Sequence, residues 1–302
     1  MAFAAGSSHG LRYIAETSFG NLPSPLNMKP LRHKSCSLVL SKDTFQSEEL
    51  RSDAQIADFR HGVKKCGGDI AFELSFGEYD PFLAAALRGT WKNNVLVAGT
   101  ALQTFAFERE FADIKQYEFF KGCAVNSLSL EVQTNAMITG TMNIVGKEAT
   151  FAATSASTGT ETSETHSPLD GFSGALKEGN ATIATVTSIS LQIENNIEPA
   201  NVVGSDVAAA LVPGRINCTG TVSAYFENLN LLNKFVNETP SSIEVTLGTG
   251  AGSYKLTLPR IKYSGGDNPV DGEGPIMLNM PFQALLDPTT GTNVKIQRVT
   301  GS

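Results

Sequence analysis

Apolar and polar residues alternate with a period of two through several short stretches of this chain. Ile70, Phe72, Leu74 and Phe76 are interleaved with Ala71, Glu73 and Ser75. Leu128, Leu130 and Val132 alternate with Ser127, Ser129 and Glu131, and Val222, Ala224 and Phe226 with Ser223, Tyr225 and Glu227. Ile243, Val245 and Leu247 alternate with Glu244 and Thr246; Ile276, Leu278 and Met280 do so with Met277 and Asn279. Successive side chains on a strand point to opposite faces, so each stretch predicts a half-buried strand. Glu73, Glu131 and Glu244 then project from polar faces. Two windows switch to helical spacing. In the first, Asp80 is the expected N-cap, Pro81 takes the first helical position, Gly89 closes the end, and the apolar face is Phe82, Leu83, Ala86 and Leu87. Leu231, Leu232, Phe235 and Val236 repeat that spacing.

These patterns occur twice. Ser37–Leu40, Ser52–Asp53, Gly62, Cys66 and Gly68 return in order as Ser190–Ile193, Ser205–Asp206, Gly214, Cys218 and Gly220. Leu38 and Leu191 are as far apart as Asp53 and Asp206, and the Cys and Gly pairs fall one residue short of that spacing. The expected architecture is mainly β: two repeated β-sandwich or barrel domains, each with one short helix and a long loop. Residues 154–166 are nearly all small and polar and cannot bury apolar area, which makes them a linker or mobile loop. The division is a first domain over 1–153, a linker over 154–179 and a second domain over 180–302.

The long loop runs between a strand ending near Leu40 and one beginning near Ile70, far beyond hairpin length. Ser52 with Gln55 forms a capping box and predicts a short helix over Asp53–Phe59. The second copy starts at Ser205–Asp206 and stops at Pro213–Gly214. Long structured loops carry function more often than short ones. The candidate contact residues are Glu48, Glu49, Arg51, Asp53, Asp58 and Arg60 on the first loop and Asn201 and Asp206 on the second. Arg60, His61, Lys64 and Lys65 make a basic cluster, balanced by neighbouring carboxylates as a solvated face or protein contact is.

Composition narrows the function. The 302 residues carry a formal charge of −7 and a pI near 5.2, and an acidic chain with no basic run cannot grip nucleic acid over a broad surface. Cys36, Cys66, Cys123 and Cys218 form no CxxC pair and are expected as buried small hydrophobes in a reducing cytoplasm. The N-terminus has no signal-peptide pattern, and no apolar run reaches the roughly 18–20 residues that span a membrane. The histidines His9, His33, His61 and His166 have no metal-ligand spacing. Gly171-Phe172-Ser173-Gly174 misses the nucleophile elbow by one residue. The sequons at Asn180, Asn217 and Asn237 lack a secretion signal. No enzyme activity, cofactor or metal is expected.

ETSFGNLP from Glu16, SEELRSDAQIADFR at Ser47–Arg60, GEYDPFLAAALRGTW at Gly77–Trp91 and FEREFADIKQYEFFKGCAVNSLSLEV at Phe107–Val132 resemble siphophage major tail tube proteins. So do GRINCTGTVSAYFENLNLLNKF at Gly214–Phe235 and LPRIKYSGGDNPVDGEGPIMLNMPFQAL at Leu258–Leu285. The resemblance implies a structural virion protein whose rings stack into the tail tube, the conduit for genome delivery. Inner sheets would join into one barrel with an acidic lumen, for which Glu73, Glu131 and Glu244 are candidates, and the long loop would reach a neighbouring ring. A duplicated chain would form its ring from three copies with pseudo-sixfold symmetry. The implied partners are the chain itself, tape-measure and tail terminator or tip proteins, and DNA that passes without specific binding; no membrane is involved. Assembly would take place in the host bacterial cytoplasm. The other reading is a secreted or surface β-sandwich adhesin or pilin-like subunit, which calls for a signal peptide. A contractile-system tube subunit is a third, against which duplication argues.

Overall fold

A computed structural model describes residues 3–162, 165–171, 175–179, 181–182, 185–270 and 272–301. Phe172, Ser173 and Gly174 of the elbow-like stretch and Asn180 of the first sequon lie outside the described residues. The chain is mainly β. The first strands are β1 (His9–Ala15), β2 (Asn27–Pro30), β3 (Ser35–Cys36), β4 (Val39–Gln46) and β5 (Phe59–Glu73). Helix α1 (Asp80–Ala86) is followed by β6 (Val95–Val97), β7 (Phe105–Phe111), β8 (Gln116–Gln133), β9 (Thr139–Gly146), β10 (Glu148–Ala152) and β11 (Gly159–Thr160). Then come β12 (Ala175–Glu178), β13 (Ala181–Thr182), β14 (Val186–Glu194), β15 (Glu198–Ala200), β16 (Ala210–Val212) and β17 (Asn217–Tyr225). After α2 (Asn230–Val236) lie β18 (Ser241–Leu247), β19 (Ser253–Tyr263), β20 (Met277–Ala284) and β21 (Lys295–Val299).

Antiparallel pairing runs β1–β7–β8–β9–β5–β4 in the first half. In the second it runs β12–β18–β19–β20–β17–β14. Each run has a flanking strand on its longest member, β10 on β8 and β21 on β19, and a seven-residue helix after its inner strand. β14 also pairs with β8, from Ser188 opposite Gln133 to Glu194 opposite Ser127. That pairing makes one continuous inner sheet, β4–β5–β9–β8–β14–β17–β20.

β8 turns the corner between layers. Its first part pairs with β7 and β10 and its second with β9 and β14. The bend falls at Gly122, whose φ of 65° is open to glycine at little cost; its amide donates to Glu16 Oε1 at 2.7 Å. Beneath the inner sheet Phe72 stacks on Tyr79 at 4.1 Å, and Phe82 packs on Tyr13 and Phe105 at 4.7 and 5.0 Å. Gly140 makes room for Phe72, since a Cβ there would meet the ring edge.

Several expectations need correction. No helix forms over Asp53–Phe59. Ala54 sits at φ 53°, outside the right-handed region, and residues 53–59 are all exposed; a helix this short does not hold without packing. Most of the expected loop is instead a β4–β5 hairpin arm with its tip over 47–58. Tyr79, not Asp80, caps α1; Asp80 is the first helical residue, bound by Tyr254 Oη and Arg298 Nη2 at 2.6 Å each. The left-handed residue after α1 is Arg88 (φ 48°), one before Gly89. Residues 155–160 are anchored by hydrogen bonds rather than by apolar area. Buried Glu108 accepts from Ser155 Oγ at 2.7 Å and Ala156 N at 2.6 Å, and β11 pairs with β2.

The helices correspond one residue out of step with the apolar spacing. Leu87, Arg88 and Gly89 donate to Leu83, Ala85 and Ala84; Asn237, Glu238 and Thr239 donate to Asn233, Phe235 and Lys234 in the same pattern. Val236 therefore occupies the place of Ala86, and Glu238 (φ 51°) that of Arg88. Asn233 and Asn237 replace Leu83 and Leu87. α1 is buried almost throughout, while α2 has no buried residue.

Candidate assembly surfaces

The inner sheet has one face on the core and one polar face. The outward positions are Asp69 and Glu73 on β5, Thr139, Thr141 and Asn143 on β9, and Ser129 and Glu131 on β8. They continue as Ser190, Gln192 and Glu194 on β14, Thr219, Thr221 and Ser223 on β17, and Asn279 and Gln283 on β20. Neither 69–73, 127–133, β9, β14, β17 nor β20 contains a single Lys or Arg. Short polar side chains bond along the surface: Asn143 Nδ2 to Asp69 Oδ1 at 2.7 Å, Gln192 Nε2 to Glu194 Oε1 at 2.8 Å, and Ser223 Oγ to Asn279 Oδ1 at 2.8 Å. Glu73 and Glu131 both lie on this face, with no ion-pair partner among the described residues.

Glu244 lies elsewhere. It is on β18, between β12 and β19, where Lys255 Nζ at 2.8 Å and Lys177 Nζ at 3.5 Å flank it. The Lys255 hydrogen bond, ahead of any burial effect, holds its carboxyl below the usual range.

The arm carries the candidate contact residues of the first loop. Arg51 pairs with Asp53 and Arg60 with Asp58, each at 2.9 Å, and these partners lower both carboxyl pKa values. Lys65 reaches Asp43 at 2.8 Å. The basic cluster is thus neutralised within the arm. Glu48 and Glu49 are exposed at the tip and Asn201 on the second loop. The two loops meet: Lys64 Nζ lies 2.5 Å from Asp206 Oδ2, and Lys64 N donates to Asp206 O at 2.7 Å.

Apolar exposure was missed by the pattern reading. Phe45, Leu50, Ile56 and Phe59 stand out on the arm, Leu50 at 99% exposure. Val202 and Val203 are bare on the second loop, as are Phe235 and Val236 on α2. The signal was present as isolated apolar residues in otherwise polar loops.

No group of three or more His, Cys, Asp or Glu side chains among the described residues is placed to hold a metal. Cys66, Cys123 and Cys218 are buried free thiols, and burial pushes Cys218 up to about 12. No helix among the described residues is long and apolar enough to cross a membrane.

The fold is that of a β-protein with a projecting arm and a polar sheet face, the inner sheet's lysines and arginines being confined to the arm strands. Its family is specific: the family model of the phage tail tube protein matches residues 6–284, and the chain belongs to that family. Membership gives it a structural role in the virion tail, in a tube assembled with other tail components. No curated protein matches the chain.

Proposed function

We propose that the chain polymerises into closed rings that stack into the tail tube, with the polar face of the inner sheet turned to the bore. The observation that carries this reading is the absence of Lys and Arg from the six strand segments of that face. A wall of hydroxyls, amides and the carboxylates of Asp69, Glu73, Glu131 and Glu194 offers phosphates no counterion to displace. With a Debye length of about 8 Å at physiological salt, its repulsion acts only next to the wall, so DNA slides without being held. Residues 1–153 and 180–302 act as two tube domains, and three copies complete a pseudo-sixfold ring. Glu48, Glu49, Arg51, Asp53, Asp58 and Arg60 on the arm contact the next ring, and Asn201 and Asp206 brace its base. Tape-measure and tail terminator or tip proteins are the chain's partners in the tail. Assembly takes place in the host bacterial cytoplasm, with no enzymatic step and no cofactor. Glu244, already paired with two lysines, belongs to the outer layer.

The test is a phage carrying Glu73→Lys and Glu131→Lys together. Tails of normal length should form, and genome ejection should slow or stall. Ejection at the parental rate through that bore would remove the non-adhesive wall from the mechanism.

A further inference from the structure

The junction between the two halves is a template for a contact the single chain leaves open. At that junction β14 lies between β17 and β8. Asn195, fully buried, donates from Nδ2 to Ala86 O and Val125 O at 3.0 Å each, and Arg88 Nη1 donates to Gly214 O at 2.9 Å. The second half thereby closes over the last turn of α1.

Among the described residues each side of this junction has a counterpart with no strand on its outer side, Leu38 O on one of them accepting from Arg109 Nη1 at 2.7 Å. Ile193 faces Cys218 and Gln192 faces Thr219 as Leu40 faces Cys66 and Val39 faces Gly67. So 36–41 correspond to 189–194. They pair with β5 on one side, and among the described residues no strand lies on the other. Asp267 faces Asn279 as Ser129 faces Thr141. So 265–270 correspond to 127–132, held beside β20 by the mutual Asp267–Asn279 hydrogen bonds at 3.1 and 2.9 Å. α2 adjoins this edge: a Cβ on Gly266 would meet Leu232 Cδ2 and Met280 Sδ at 2.6 and 2.8 Å. Val236 is 72% exposed where its counterpart Ala86 is 0%.

We infer that copies join head to tail by repeating this internal junction, 36–41 of one copy lying antiparallel beside 265–270 of the next, with Val39 opposite Asp267. The inference rests on the ring reading and names its seam. Lys42, in the place of Asn195, and Gly62, in the place of Gly214, close over the last turn of the neighbour's α2. There Glu238, paired with Lys262 Nζ at 3.1 Å within its own chain, stands where Arg88 stands internally, and Lys42 of the adjoining copy joins that pair. The two surfaces differ, which makes the contact heterologous, and it closes into a ring when its rotation permits. The free edge is also guarded. Gly265 and Gly266 weaken strand pairing and Pro269 has no N–H to donate, so a chain that fails to cover α2 as well gains little by adding to it.

Cross-linking tests the register. A disulfide spans Cβ atoms roughly 3.5–4.5 Å apart, a range that directly opposed positions (roughly 4.5–5.5 Å) reach with a small shift and positions offset by two residues (roughly 7–8 Å) do not. Oxidised assemblies of a Val39→Cys/Asp267→Cys variant should therefore run as covalent multimers on a non-reducing gel. The offset pair Val39→Cys/Gly265→Cys and the parent chain with its native thiols should not. Lys42→Glu should stop ring formation, and adding Glu238→Lys should restore it. Rings or tubes that form without the matched cross-link, or that are indifferent to the charge reversal, overturn the seam and leave the tube reading standing. A chain that stays monomeric at tail-assembly concentrations overturns both.

Discussion

Polar side chains inside this fold are organised into directed chains of hydrogen bonds. Arg109 Nε donates to His9 Nε2 at 3.1 Å, which puts the His9 proton on Nδ1. That nitrogen lies 2.8 Å from His33 Nε2, and His33 Nδ1 lies 3.2 Å from Leu31 O. The run Arg109 to His9 to His33 to Leu31 holds only with His9 neutral. Burial first, then the Arg109 charge and His33, lower the His9 pKa from 6.5 to about 4. The unfolded chain takes up a proton that the folded one refuses, so the His9 contribution is complete above pH 6.5 and is lost as pH falls towards 4. Urea midpoints recorded across that window should fall with pH in the parent chain and fall less in His9→Phe; equal slopes would count against this role. The His9–His33–Arg109 chain was invisible in the sequence, where the histidines show no common spacing. Strand pairing brings His9 to Phe111 and places Arg109 two residues away on the same strand. Glu108 was hidden for the same reason. It reads as one acidic residue among several, yet it is fully buried, bonded to Arg12 Nη1 at 3.0 Å, and accepts from the Ser155 hydroxyl and the Ala156 amide.

At the scale of elements, legibility followed burial. The strands read from alternation have one face on the core: β9, β17, β18 and β20, and β8 over 127–131, alternate buried positions with more exposed ones. The arm was illegible because its outer part buries neither face: β4 has no buried residue, and β5 is exposed over 59–61. A strand held by ladder hydrogen bonds alone leaves no hydrophobic period to read. The same fact predicts how the arm behaves when cut. Its tip is closed by Ser47 N donating to Asp58 O at 2.9 Å, and nothing in 48–57 is buried. Replacing Glu48–Ala57 by a Gly-Gly turn should change thermal stability by less than about 1 kcal/mol while abolishing tubes; calorimetry and electron microscopy read the two effects separately. Full-length tubes from the shortened chain would free the arm of any stacking role.

For the molecule as a whole, strand pairing runs β1–β7–β8–β9–β5–β4 from the first strand and β12–β18–β19–β20–β17–β14 from the twelfth. Sequence could not say which face of the shared sheet does what, because Glu73, Glu131 and Glu244 look alike as single acidic residues between apolar neighbours. Only the pairing partners separate them. The first two lie on strand segments without Lys or Arg, and the third sits between Lys177 and Lys255. A side-chain-resolved cryo-electron microscopy reconstruction of the assembled tube bears most directly on the central claim. The bore should be walled by Asp69, Glu73, Glu131, Glu194, Thr219 and Gln283, with Lys177 and Lys255 on the outside. A bore lined by the β12–β18–β19 surface, or one in which lysine or arginine from the inner-sheet strands' neighbours points at the axis, would contradict it.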